Sequence, residues 1–229
     1  MIAVIPARGG SKRAAGKNRR SLAGTPLVAL AVNVALEAGL ESAVIVSTDS
    51  PEIAEIAEGA GARVILRPAE LATDTASTEG VLLHVLDMLA AEGAAPQWVM
   101  TLPPTSPFRK ASTVAAFVAE ARRRPDDQDC LMSVTEDRGY YWRMSDNDGA
   151  IVRLFADAPR RQQDRVPLYE ENSAIYLTKC AALRETGSIL GNRVRGLPIN
   201  RIEAFDINTE IDFRIAAAMA DAMPELADV

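Results

Sequence analysis

The sequence predicts an α/β fold, a mostly parallel sheet covered by helices on both faces. Three observations carry this. Short apolar runs of strand length alternate with stretches of helical hydrophobic spacing along most of the chain. The first of those runs, Ile2-Ala3-Val4-Ile5, opens straight into a glycine-rich, strongly cationic turn. And 229 residues suit one domain with a small appendage, so 1–229 is taken as a single unit.

That turn reads Pro6-Ala7-Arg8-Gly9-Gly10-Ser11-Lys12-Arg13-Ala14-Ala15-Gly16-Lys17-Asn18. Gly9 and Gly10 let backbone N–H groups face an anion, and Arg8, Lys12, Arg13 and Lys17 put charge around it. Such a turn suits a polyphosphate better than bulk water, because little else needs so much positive charge at the mouth of a strand. It is not a Walker A loop. Five residues separate Gly10 from Gly16 where that loop has four, and Asn18 stands where a hydroxyl would bind magnesium. Nor is there a Gly-x-Gly-x-x-Gly run for a dinucleotide.

The elements then follow in order. Leu27, Leu30, Ala31, Val34 and Ala35 have helical spacing, and Val44-Ile45-Val46 reads as a short buried strand. Ser50 caps the next helix with Pro51 at its first position and Ile53, Ile56 and Ala57 inward. Val64-Ile65-Leu66 is a strand, Val81, Leu82, Val85, Leu86 and Leu89 share a helix face, and Trp98-Val99-Met100 is a strand. A helix through Val114, Phe117, Val118 and Ala121 leads to a strand at 131–134. Strands at 174–177 and 194–199 and a last helix from Thr209 complete the chain. Ligands of such sheets sit at the carboxyl ends of the strands, so the loops after Ile5, Val46, Leu66 and Met100 should line one cleft.

The rhythm breaks at 136–171. Tyr140-Tyr141-Trp142-Arg143-Met144 and Ile151-Val152-Arg153-Leu154-Phe155 flank Asp146-Asn147-Asp148-Gly149, a hairpin signal. An aromatic hairpin leaving the core exposes apolar surface unless it meets a partner, so the segment is read as an inserted dimerisation arm and the protein as a homodimer. The bland alternative is a decorated loop.

Composition narrows the function. A net charge of −6 argues against a general nucleic-acid binder, so the positive turn serves a small anion. Cys130 and Cys180 lack metal or disulfide spacing and fit a reducing cytoplasm. His84 is the single histidine, which disfavours a Ser–His–Asp triad or a His-ligated zinc. No apolar run is long enough to span a membrane, and Met1 leads directly into a strand, so no signal peptide is expected.

Three more segments carry chemistry. Arg67-Pro68 through Asp74-Thr75-Ala76-Ser77-Thr78 offers small and hydroxyl residues for a flat base, with Arg67 near a base carbonyl or phosphate. Thr101-Leu102-Pro103-Pro104-Thr105-Ser106-Pro107-Phe108-Arg109 holds three prolines and implies a rigid wall. In Phe205-Asp206-Ile207-Asn208-Thr209, Asp206 and Asn208 lie two apart on an extended run and face one side. Alone they read as helix-start residues; beside a phosphate turn, a carboxylate and an amide oxygen point to Mg²⁺.

The ordered set of Ile5-Pro6-Ala7-Arg8-Gly9-Gly10-Ser11-Lys12, Gly16-Lys17-Asn18, Ser47-Thr48-Asp49, Arg67-Pro68 through Ala76, Pro104-Thr105-Ser106-Pro107, Asn172-Ser173-Ala174-Ile175-Tyr176 and Asp206-Ile207-Asn208-Thr209 resembles the N-acylneuraminate cytidylyltransferases, or CMP–sialic acid synthetases. The resemblance covers nearly the whole chain. It implies a Rossmann-like nucleotidyltransferase fold, CTP and Mg²⁺ as co-reactants, and a homodimer whose arms help close the neighbouring site. By position it implies that Arg8, Gly9, Gly10, Ser11, Lys12 and Lys17 hold the triphosphate and that Asn18 contacts the nucleotide sugar. Arg67, Ala76 and Thr78 would lie near the cytosine, Arg161 would meet the carboxylate of a sugar acid or else stand as a solvated arm residue, and Tyr176 would line the sugar pocket.

Three positions depart from the family pattern. Asn208 replaces a second carboxylate, which predicts weaker metal binding. Pro103 stands where a Gln commonly contacts the acyl amide of the sugar. Tyr141 and Trp142 sit near the place of a pocket Lys. The last two changes bear on the sugar and not on the nucleotide. The implied reaction joins CTP to a nonulosonic acid, giving a CMP-sugar and pyrophosphate, with Lys17, Arg8 and Asp206 as the catalytic groups. Legionaminate, pseudaminate or Kdo are the alternative acids, and a catalytically weak nucleotide-binding dimer is the alternative class. Asp206 and a metal-bound hydroxide both stay open as general base.

Overall fold

The computed structural model describes residues 1–10, 16–40, 43–124 and 126–223. In chain order its elements are β1 (Ile2–Pro6), β2 (Ser21–Leu22), β3 (Thr25–Pro26), α1 (Leu27–Glu37), β4 (Val44–Thr48), α2 (Pro51–Gly59), β5 (Arg63–Leu66), α3 (Thr78–Ala91), β6 (Trp98–Thr101) and α4 (Ala111–Arg123). They continue as β7 (Cys130–Asp137), β8 (Trp142–Met144), β9 (Ile151–Arg153), β10 (Leu168–Lys179), α5 (Cys180–Thr186), β11 (Val194–Pro198) and α6 (Glu210–Ala222).

The central sheet has seven strands in the order β11-β7-β10-β6-β1-β4-β5. Every neighbouring pair is parallel except those of β10, which runs antiparallel to both β6 and β7. The period-2 alternation of strand side chains builds two cores. Ala3, Ile5, Val44 and Val46 point to one face, under Val28 and Val32 of α1, Ile53 of α2 and Phe117 of α4. Ile2, Val4, Ile45 and Val99 point to the other, under Leu82, Val85 and Leu86 of α3 and Leu183 of α5. A third cluster of Leu22, Leu27, Phe108, Ile207 and Phe213 fixes α6 against the start of α1. The mostly parallel, doubly covered sheet that the alternation implies is present.

Local chemistry sets the boundaries. Ser50 Oγ accepts from the Ile53 N–H at 3.4 Å, with Pro51 at the first position of α2, as the sequence implies. Thr209 opens α6 with a full capping box, exchanging hydrogen bonds with Asp212. The 136–171 segment does form a hairpin, but its strands are three residues each and shorter than its apolar runs. The base of the arm belongs to the sheet, since Leu168 pairs with Asp137 at the ends of β10 and β7. Its apolar side chains stand in solvent, among them Trp142 at 48%, Ile151 at 56% and Met144 at 67% exposure. No helix among the described residues is long and apolar enough to cross a membrane.

Candidate active site

The loops after β1, β5 and β6, with the turn into α6, open into one cleft of about 570 Å³. Its walls include Arg8, Lys17 and Asn18 from the amino-terminal turn and Arg67, Ala76 and Thr78 from the segment after β5. Pro103 to Thr105 and Asn208 close it. Sequence positions far apart thus share one hollow at the strand ends. The expected loop after Val46 lines none of it: its Asp49 instead accepts from the Gly9 N–H behind the turn.

Each basic group is held differently. Arg8 pairs with Asp74 across the mouth at 2.5 Å, both side chains about a third exposed. Gly9 donates its N–H to Asp49 Oδ1 at 2.8 Å, and a Cβ there would come within 2.9 Å of Ser50 Cβ, so only glycine fits. Gly10 is exposed, with no atom within 4 Å of where its Cβ would sit. Ser11 and Lys12 lie outside the described residues. Gly16 turns the chain with φ +59° into the short 3₁₀ turn Lys17–Arg19.

Lys17 makes the contact that organises the cleft: its Nζ donates to the Ile207 carbonyl at 2.9 Å. The amino-terminal turn is thereby fastened to the Asp206–Asn208 segment. Asn18 donates from Nδ2 to the Arg8 carbonyl at 2.9 Å, while its buried Oδ1 has no partner among the described residues. A buried acceptor left open in a cleft wall is a place for a ligand donor. Arg67 is 8% exposed, donates to the carbonyls of Ser47 and of Leu71, and is pushed by burial down to about 10, with Asp49 pulling the other way. It shapes the floor and stays cationic at neutral pH.

Asp206 and Asn208 are hydrogen-bonded to each other, Nδ2 to Oδ2, at 2.6 Å. Asn208 lines the main cleft and, with Asp206, a neighbouring hollow that also touches Glu171 and Asn172. Beside them the Asp212 carboxyl is held below its usual range by the Thr209 N–H, helped by the Thr209 hydroxyl, the Asn208 N–H and Lys17. Among the described residues no group of three or more His, Cys, Asp and Glu side chains could by itself hold a metal. Any divalent ion here would rest on the Asp206–Asn208 oxygens plus water and phosphate, which suits a hard cation.

A second cavity of about 340 Å³ adjoins the cleft and shares Thr78 and Pro103 with it. Tyr176 lines it, its hydroxyl donating to Glu171 and lying 3.2 Å from Ser173 Oγ. Burial, then the Glu171 carboxylate, raises the Tyr176 phenol above its usual range. Pro103 and Tyr176, the candidate sugar residues, therefore meet. Arg161 does not join them: it stands on the arm, 73% exposed, 3.7 Å from Asp164, and lines neither cavity.

Two features escape a reading of the sequence. Arg109 is wholly buried behind the proline wall, where it donates to the carbonyls of Pro103 at 2.7 Å and Ala174 at 2.9 Å. Burial pushes it down to about 9, opposed by the Asp206 charge. Nothing local marks Arg109 as interior. Ser173 adopts φ +60° where the β10 register shifts between Glu171 and Tyr176. That bulge turns Glu171, Ser173 and Tyr176 onto the second cavity.

Comparison with known proteins identifies the family and the fold. Residues 2–195 match the cytidylyltransferase family. A CMP-N,N'-diacetyllegionaminic acid synthase of Legionella pneumophila is 34% identical over 98% of both chains. An N-acylneuraminate cytidylyltransferase of Escherichia coli is 30% identical over 94% of this chain but only 51% of its own, so this chain spans about half of that relative. Among solved structures, a CMP:2-keto-3-deoxy-manno-octonic acid synthetase complexed with CTP superposes with a TM-score of 0.72 at 17% identity, covering 97% of this chain and 99% of that one. At that identity the likeness concerns the fold, which is the nucleotidyltransferase arrangement.

Proposed function

The chain belongs to the cytidylyltransferase family, and on that footing we propose that it joins CTP to a nonulosonic acid, giving a CMP-sugar and pyrophosphate. The observation that supports this reading is the Lys17–Ile207 contact, which fastens the cationic turn to a segment whose Asn208 lines the main cleft and whose Asp206 lines the neighbouring hollow.

In this reading the triphosphate lies along Arg8, Lys17 and the Gly9-Gly10 backbone, with Ser11 and Lys12 contributing by position. Asn18 Oδ1 accepts from a ribose hydroxyl. The cytosine rests against Ala76 and Thr78 above the fixed guanidinium of Arg67. The anomeric hydroxyl attacks the α-phosphorus in line, a P–O bond forms, and the bond to pyrophosphate breaks on the opposite side. Arg8 and Lys17 stabilise the negative charge that develops on the departing pyrophosphate. Occupying the cleft requires Arg8 to exchange Asp74 for phosphate, and the one-third exposure of the pair keeps that exchange inexpensive.

Asp206 and Asn208 fit a magnesium ion, since both offer hard oxygens, Asn208 on the main cleft and Asp206 on the hollow beside it. Bound there, Mg²⁺ would neutralise phosphate charge. The exposed arm residues support a homodimer in which Arg161 reaches a neighbouring site and meets the carboxylate of the sugar acid. The buried, unpaired thiols of Cys130 and Cys180 suit a reducing cytoplasm.

A second choice of acid, legionaminate over N-acetylneuraminate, is favoured by the Legionella relative, a CMP-N,N'-diacetyllegionaminic acid synthase 34% identical over 98% of both chains. The test is pyrophosphate release from CTP with N-acetylneuraminate, N,N'-diacetyllegionaminate, pseudaminate and Kdo. Acid-dependent release is expected. CTP binding without release for any acid would favour a nucleotide-binding protein instead.

A further inference from the structure

The second cavity has an unusual charge. Glu79 and Glu171 line it, and no Lys, Arg or His does so. Neither carboxylate enters an ion pair among the described residues. Glu79 accepts weakly from the Ile189 N–H at 3.4 Å, and Glu171 accepts from Tyr176. Ser173, Tyr176 and Glu171 form a short chain of hydrogen bonds that ends on the Glu171 carboxylate.

A second, independent observation points to a ligand here. Thr101, at the carboxyl end of β6, is 1% exposed and lines it, yet its Oγ1 has no hydrogen-bond partner among the described residues. Thr101 lies directly opposite Tyr176 in the β6–β10 pairing, so both side chains leave the sheet on one face. An orphaned buried hydroxyl costs free energy unless something arrives to satisfy it. Pro103 cannot serve: its ring has no polar atom, and its carbonyl is occupied by Arg109.

These facts orient a ligand. A sugar acid cannot place its own carboxylate between two others, so that group must turn toward the cations of the main cleft and arm. The substituted end of the sugar then enters the second cavity, where acceptors await donors. Resting on the cytidylyltransferase reading above, we propose that Glu171 and Thr101 are specificity-determining residues for the sugar acid. They select an acid whose side group carries nitrogen with N–H donors, and they prefer a cationic group, an amidine or free amine, over a neutral acylamide. Glu171 supplies the charge, Thr101 the closing hydrogen bond, and Ile189 and Leu190 the apolar rim.

The experiment compares kcat/KM for nonulosonic acids of one ring configuration bearing acetamido, amidino or amino groups, with CTP saturating. The wild-type protein should favour the cationic acids by about tenfold or more, the size of one hydrogen bond to a charged group. Glu171→Gln, isosteric and able to keep the Tyr176 contact, should remove that preference mainly through KM for the acid. The KM for CTP should move by less than about twofold, within the scatter of an unrelated surface change. Thr101→Val should weaken all nitrogen-bearing acids together. An acetamido acid used as well as its amidino counterpart, or a preference that survives Glu171→Gln, overturns this inference and leaves the cytidylyltransferase reading standing. No turnover of any acid overturns both.

Discussion

Lys17 offers the sharpest perturbation, because one side chain both lines the cleft and fastens it together. Its Nζ donates to the Ile207 carbonyl at 2.9 Å and lines the cleft where the phosphates would lie. A unit charge about 4 Å from a phosphate oxygen, at an effective dielectric near 20, is worth about 4 kcal/mol. Partial exposure of the site trims this, so Lys17→Met should lower kcat by about 10²- to 10³-fold. Losing the hydrogen bond to Ile207 should cost only about 1 kcal/mol of stability, or about 2–4 °C in Tm. The assay is steady-state pyrophosphate release beside a thermal melt. Turnover within about threefold of wild type, with the melt as expected, would remove Lys17 from the chemistry.

Other expectations follow from the same geometry. Asp206→Ala should abolish Mg²⁺-dependent turnover while CTP still binds, measured by calorimetry and activity across a magnesium series. Asp212→Ala breaks the cap of α6 and should cost about 1 kcal/mol at pH 7. The Asp212 carboxyl is held low, so its contribution is full above about pH 4 and fades as pH falls further; melts of the two proteins should converge in acid. Burial raises Cys130 and Cys180 to about 11 each, so about one in 10³ of either thiol is thiolate at pH 8. Iodoacetamide should leave both unmodified in the native protein and label both in urea, read by mass spectrometry.

How much of this was legible beforehand depended on distance along the chain. Periodicity and caps placed β1, α1, β4, α2 and α6, because hydrophobic spacing and residues such as Ser50 and Thr209 act locally. The reversed direction of β10 was not readable, since a run such as Ala174–Leu177 carries no record of which neighbour it joins. The helix α5 is seven residues and too short to show a period, and β2–β3 is only two residues a side. In the site, glycine and charge clustering marked Arg8 and Lys17, yet Arg109 and Thr101 went unmarked because their importance lies in burial. Arg161 shows the converse: motif position suggested a role, and in this chain its side chain stands in solvent.

The central claim is that the amino-terminal cationic turn and the Asp206–Asn208 pair grip one nucleotide between them. A crystal structure with CTP and Mn²⁺, the metal located by anomalous scattering, tests this directly. Triphosphate oxygens bridging Arg8 and Lys17 to a metal at Asp206 are the expected result. A nucleotide seated elsewhere, or a metal remote from Asp206 with the cleft vacant, would contradict it.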